Sequence, residues 1–271
     1  MDVGAHCETA NCRHGRYTGM TQFSSPELSH QHSLETLNCL YEYDDFMQSI
    51  TNVVDMGCGA GHDLEWWATR TTRDESARPL NIRCLGVDHA PELAMSLKYK
   101  NIHYVSKDFE EPFPPQKNKY DVIWCHDSFQ YAISPIATLS NWWSAMSDGG
   151  MLAVIIPQTT NLEFNVQAYD QHDYCYYNWT MGSLIHALAV AGFDCGGGFF
   201  KKNPSDPWLH AVVYKSTHRP MDPRSTTWYQ LSDKDLLPES AMRSIEQHGY
   251  LRQRDLLLPW LDKSLTWLGK H

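Results

Sequence analysis

Apolar positions along the chain fall into two alternating periods. Short runs of apolar residues recur at 53–56, 82–87, 102–106, 120–125 and 151–156, each of a length that fits a buried strand. The last of them, Met151-Leu152-Ala153-Val154-Ile155-Ile156, is apolar throughout, as expected of a strand covered on both faces. Between the runs the spacing turns helical. Ser25-Pro26 offers a cap and a first-turn proline ahead of Leu28, Leu34, Leu37, Leu40 and Tyr41, and Phe46 and Ile50 extend that apolar side. Leu64, Trp67 and Ala68 share one face of a second helix. Ser134-Pro135 opens a third, with a stripe of Ile136, Leu139, Trp142, Trp143 and Met146 that Asp148-Gly149-Gly150 closes. Thr180 caps a fourth through Leu184, Ile185, Leu188 and Ala189, stopped by Gly192. Residues 193–200 and 208–214, joined by Asn203-Pro204-Ser205-Asp206-Pro207, form a hairpin. Strands linked by helices predict an α/β fold with a largely parallel sheet. The organisation is then an arm with a leading helix over 1–50, a main domain over 51–215 and a helical C-terminal extension over 216–271, with helices at 239–248 and near 257–268.

Composition narrows the function. At 271 residues, 42% hydrophobic and 12% aromatic, the chain can bury a full core, and a disordered reading is excluded. A formal charge of -10 weighs against a phosphate-backbone partner. The longest apolar run is cut by Pro157, and Met1-Asp2-Val3 lacks a signal-peptide pattern, so the expectation is a soluble cytoplasmic protein with no membrane partner. The 8 cysteines are scattered without a C-x-x-C pair, which reads as reduced thiols. Cys7, Cys12 and His14, with His6 nearby, match no standard zinc spacing, and no metal is expected.

The chemistry concentrates after the first strand, where Gly57, Gly59 and Gly61 form a turn that lets backbone approach a ligand. A dinucleotide fingerprint would place a small residue at position 62, which is His62. Asp55-x-Gly57-x-Gly59-x-Gly61 instead resembles motif I of the class I (Rossmann-like) S-adenosylmethionine-dependent methyltransferases. The resemblance runs in order from Val53 to Lys215. Asp88 ends the second strand, Asp108-Phe109 follow the third, and His126-Asp127-Ser128-Phe129-Gln130-Tyr131 follow the fourth at the position of motif IV.

The resemblance implies a three-layer αβα sandwich with a mostly parallel seven-stranded sheet and an antiparallel final hairpin. It implies S-adenosylmethionine as cofactor, with Asp55, Gly57, Cys58, Gly59, Gly61, Asp88, His89, Asp108, Phe109 and His126 around it. Asp88 would take the ribose hydroxyls, which a carboxylate can accept in pairs. Asp108 would accept the adenine amine while the backbone at Phe109 meets the ring. Other readings stay open at this point: Asp88 suits a helix cap before Ala90-Pro91, Asp108 suits a strand terminator, and His126 suits a strand-end histidine bonded to backbone.

His126, Asp127, Tyr131 and His172 are the residues expected to meet the methyl acceptor. The last lies in a stretch, 161–179, rich in Tyr, His, Asp and Asn, which suits a small polar or heterocyclic acceptor. The leading helix would lie over the cleft and bring Tyr17, His30 and His32 near it. Two rival functions are a nucleic-acid methyltransferase and a non-catalytic module that keeps the cofactor fold. The first lacks an Asp/Asn-Pro-Pro-Tyr motif and a Pro-Cys nucleophile motif in this chain, and the second has no need of Gly57, Gly59, Gly61, Asp88 and Asp108 together. Trp228, Tyr229, Tyr250, Trp260, Leu261 and Trp267 in the extension would pack against the domain or a second subunit.

Overall fold

Alternation along the first strand, β1 (Asn52–Met56), splits the core into two halves. Val54 and Met56 face one cluster and Val53 the other, all fully buried. The computed structural model describes residues 26–89, 98–114, 119–158, 177, 179–202 and 208–268, with side chains from residue 31 onward. β2 (Arg83–Asp88), β3 (Ile102–Ser106), β4 (Tyr120–His126), β5 (Met146–Pro157), β6 (Phe193–Lys202) and β7 (Trp208–Lys215) complete one sheet, ordered β3-β2-β1-β4-β5-β7-β6. The first five strands pair in parallel, and β7 runs antiparallel to both β5 and β6. This is the seven-stranded sheet with an antiparallel final pair that the resemblance implies.

Helices α1 (Pro26–Tyr43) and α2 (His62–Ala68) supply Leu37, Leu40, Leu64 and Trp67 to the face that Val53 and Val122 present. On the opposite face α3 (Pro135–Ala145) and α4 (Met181–Val190) bring Leu139, Trp142, Leu184 and Leu188 against Val54, Ile123 and Leu152. Each such side chain, removed from water, contributes about 1.5–3 kcal/mol, so the two apolar faces of the sheet dictate the layers. α4 starts on a reciprocal cap: Thr180 accepts from Ser183 N, and the Ser183 hydroxyl accepts from Thr180 N.

Two expectations are corrected. Asp148-Gly149-Gly150 does not close α3. The helix ends at Ala145, and those residues lie in an irregular start to β5, where the pairing passes from Tyr120↔Met146 directly to Val122↔Met151 and Gly149 takes a φ of 70°. The helix expected near 257–268 is a hairpin of β8 (Leu257–Pro259) and β9 (Leu265–Trp267). Its apolar spacing satisfies both periods, and Pro259 and the turn at 260–264 leave too few residues for a helix. The extension also holds α5 (Trp228–Ser232) and α6 (Glu239–His248), and it packs back on the domain through buried Leu231, Leu237, Leu258 and Trp260. Tyr229, Tyr250 and Trp267 remain exposed.

Candidate functional site

The glycine turn is held from three sides. Gly57 N and Cys58 N both donate to Val87 O on β2, at 2.7 and 3.2 Å, and Gly61 N donates back to Cys58 O at 2.8 Å. Ser128, just beyond β4, donates to Gly57 O at 3.1 Å and to His126 O at 3.0 Å. Gly59 N donates to Asp88 Oδ2 at 3.0 Å. The carboxyl ends of β1, β2 and β4 are thereby tied into one crevice, the place where open parallel sheets take their ligands.

Two glycines have separate reasons to lack a side chain. Gly57 has a φ of 78°, and a Cβ there would stand 2.0 Å from Ser128 Oγ. Gly59 has a φ of 47°, yet a Cβ there would meet nothing within 4 Å, so its backbone borders open space. That open cradle fits a bound ligand, and the charge around it fits a cationic one. Burial, then the carboxylates of Asp63 and Asp88, push the Asp55 carboxyl well above the ordinary carboxylate range. A positive group beside these residues would relieve that repulsion.

The other expected cofactor residues lie along the same rim. Asp88 ends β2, and its carbonyl accepts from Lys107 N at 2.9 Å. His89 follows, its carbonyl taking the Ser106 hydroxyl at 2.7 Å. The Asp108 carboxylate accepts from Glu110 N at 2.9 Å, a turn that suits a strand terminator. The Phe109 ring is spent on the core against Trp142, whose indole donates to Phe109 O at 3.0 Å. The Cys58 thiol is buried, and burial raises its pKa, so it is no nucleophile.

Of the residues expected to meet the acceptor, His126 ends β4, and Asp127 and Tyr131 follow it in the chain. His172 and Tyr17 lie outside what the structure describes, as do Cys7, Cys12 and His14 and the helix expected after Ala90; His30 lies in α1, with only its backbone described. Asp127 holds a left-handed φ of 52°, stabilised by its N–H to Ile155 O at 2.9 Å and by Gln130 Nε2 donating to its carboxylate at 2.7 Å. A non-glycine residue in that region costs of order 1–3 kcal/mol, and such positions cluster at working sites. Tyr131 presents a ring that is 44% exposed. Glu110, from the β3 side, accepts from Ile133 N, Ser134 N and Thr138 Oγ1, which fixes the entry to α3 beneath these residues.

Sequence reasoning missed the polar layer between α1 and the sheet. Asp63, in the first turn of α2, accepts from the Ser33 hydroxyl and, at 2.8 Å, from Trp124 Nε1. His126 Nδ1 lies 3.4 Å from the same carboxylate. His210, on β7, is buried against Thr36 Oγ1 at 2.8 Å. Burial first, then Lys201 and the neighbouring histidines, push its imidazole down to about 3. His32 stacks on Trp208 at 5.3 Å. An acid at an otherwise apolar helix position was the available signal for Asp63, but its partners lie 30 and 61 residues away, beyond the reach of periodicity.

A family model described as a methyltransferase domain matches residues 47–197. Among solved structures, phosphoethanolamine N-methyltransferase 2 of Haemonchus contortus, in complex with phosphomonomethylethanolamine and S-adenosylhomocysteine, superposes with a TM-score of 0.52. It is 14% identical over 68% of this chain and 53% of its own. A possible exported protein from Bordetella parapertussis superposes with a TM-score of 0.51, at 14% identity over 76% of this chain and 77% of its own. No curated protein matches the chain. Among the described residues no helix is long and apolar enough to cross a membrane, and no group of three His, Cys, Asp or Glu could hold a metal ion.

Proposed function

We propose, since this chain belongs to the class I S-adenosylmethionine-dependent methyltransferase family, that its methyl acceptor is a small molecule held over the carboxyl ends of β1, β2 and β4. S-adenosylmethionine supplies a methyl group already activated by positive sulfur. The protein's share of catalysis is therefore alignment, exclusion of water and, where the acceptor requires it, removal of a proton. We assign the cofactor to the cradle at Gly57, Cys58, Gly59 and Gly61, with Asp55 near its charge, Asp88 and His89 at the ribose and Asp108 and Phe109 at the adenine. His126, Asp127 and Tyr131 line the acceptor side.

The observation that carries this reading is that the glycine loop is tied at two points, Gly59 N to the Asp88 carboxylate and Gly57 O to the Ser128 hydroxyl, whose oxygen also lies 3.0 Å from the His126 carbonyl. The charge of -10 favours a small acceptor over a nucleic acid. We place the reaction in the cytoplasm, a reading supported by free Cys39, Cys58, Cys84, Cys125 and Cys195 among the described residues. Transfer of labelled methyl groups into fractionated cell extract tests the acceptor. Label in the small-molecule fraction is expected, and label confined to RNA, DNA or protein overturns the assignment.

A further inference from the structure

Two chains of contacts leave the loop after β3 and end on the same residue. The first is polar. Asp108, assigned to the adenine, accepts from Glu110 N at 2.9 Å. The Glu110 carboxylate accepts from Ile133 N at 2.8 Å, and from Ser134 N and Thr138 Oγ1, each at 3.0 Å. Ile133 O in turn accepts from the Tyr177 hydroxyl at 2.8 Å. The second chain is aromatic. Phe109 lies 6.1 Å from Trp142 between centroids, Trp142 lies 5.6 Å from Phe129, Phe129 5.3 Å from Trp179 and Trp179 6.0 Å from Tyr177. All four separations fall in the range of attractive ring pairs. The loop assigned to the cofactor and a tyrosine from the stretch that suits the acceptor are thereby closed into one circuit.

We propose that Glu110 and Tyr177 are positioning residues that make the order of the acceptor side depend on occupancy of the cofactor loop. The proposal rests on the methyltransferase reading of the crevice, with the adenine at Asp108. The two routes hold with different firmness. Trp142, Phe129 and Trp179 are buried, so close packing fixes the aromatic route. The polar route ends in the open, with Ile133 62% and Tyr177 41% exposed. An exposed hydrogen bond of this kind opens locally, which gives the tie two arrangements, bonded and released. Coupling requires such an element, biased from both sites. The peptide group joining Ile133 to Ser134 is gripped at both ends, its N–H by Glu110 and its C=O by Tyr177. An N–H given to a carboxylate polarises its peptide and makes the carbonyl a better acceptor, so the two grips strengthen each other. Ser134 makes no capping bond with its own side chain, and Glu110 supplies the anion at the start of α3 in its place. A ligand that fixes Asp108 fixes the Glu110 N–H beside it, and with it the carboxylate that holds Ile133 and Ser134. Alignment of the acceptor is needed only when the methyl donor is in place, and this circuit supplies it then.

The test uses the full chain, labelled with nitrogen-15, with and without saturating S-adenosylhomocysteine. Amide exchange read at Ile133 and Ser134 is expected to slow by about tenfold or more on binding. In Glu110→Gln, which keeps the side chain's size and loses an accepting oxygen, the slowing should shrink to less than about twofold. A residue that only caps α3 would leave exchange the same with and without the ligand. Calorimetry reads the reciprocal effect. Tyr177→Phe, which removes only a hydroxyl, should weaken S-adenosylhomocysteine roughly two- to tenfold. In the Glu110→Gln background the same change should cost less than about twofold, since both residues act in one circuit. The proposal is overturned by exchange at Ile133 and Ser134 that the ligand leaves unchanged in the parent. It is overturned equally by unchanged affinity in Tyr177→Phe, or by a loss of the same size in both backgrounds. If Glu110→Gln does not fold, exchange in the parent and the affinity of Tyr177→Phe decide. Failure of S-adenosylhomocysteine to bind the parent protein would instead defeat the cofactor reading, and the proposal with it, so the two failures are distinguishable.

Discussion

The backbone N–H of Gly59 donates to Oδ2 of Asp88 across 3.0 Å, which ties the glycine loop to the end of the second strand. One carboxylate thus braces the loop and, in the proposed assignment, brings negative charge to the sugar. Asp88→Ala removes both, and a charge-assisted bond of this kind is worth about 1.5–3 kcal/mol. Calorimetry with S-adenosylhomocysteine should therefore show a loss of roughly ten- to a hundredfold in affinity. Asp88→Asn keeps an acceptor for Gly59 and should lose less. Equal affinity in all three proteins would remove the sugar assignment.

Gly57 and Gly59 should fail in different ways. Gly57→Ala drives a Cβ into Ser128 at a left-handed backbone, and should cost roughly 2–5 kcal/mol of stability in urea denaturation. Gly59→Ala meets no protein atom within 4 Å, so it should cost only the backbone term of about 1–2 kcal/mol. Its methyl group intrudes on the cradle instead, and cofactor affinity should fall at least tenfold. A Gly59→Ala protein that binds normally would move the cofactor away from this loop.

His210 predicts an acid-sensitive fold. Its folded pKa of about 3 lies below the ordinary histidine value of 6.5, so the unfolded chain binds the extra proton. The contribution is fully present above pH 6.5 and is lost as pH falls toward 3, by up to about 1.4 kcal/mol per pH unit. His210→Gln, which can still bond Thr36, should flatten the fall in stability between pH 6 and 4 relative to the parent, read from paired denaturation curves.

Asp55 predicts the opposite slope. Its folded pKa is raised, so the native state keeps a proton that the unfolded chain releases. That contribution is fully present below the ordinary carboxylate value and is lost as pH rises through the raised one. Asp55→Asn should make the ligand-free protein less sensitive to rising pH and more stable at pH 8, while weakening cofactor binding. A variant that binds as well as the parent would limit Asp55 to a packing role.

Strand positions, the parallel order of the first five strands and the closing hairpin follow from local pattern, because apolar alternation and turn residues act within a few positions of each other. The glycine loop is legible for the same reason: Asp55, Gly57, Gly59 and Gly61 lie within seven residues. The extension's hairpin at Leu257–Trp267 was not, since a short apolar segment interrupted by Pro259 takes its form from the surface it covers, here β6. The split between Gly57, which yields room to Ser128, and Gly59, which opens on the cradle, needs coordinates from a strand 71 residues away. Asp63 is the sharpest case. Its sequence neighbours place it at a helix start, and only the meeting of α1, α2 and β4 surrounds it with Ser33, Trp124 and His126. Sequence determines which segments can bury a face, since that is a property of consecutive side chains. The electrostatic environment of a buried carboxylate is a property of distances between segments, and the tertiary structure alone decides it.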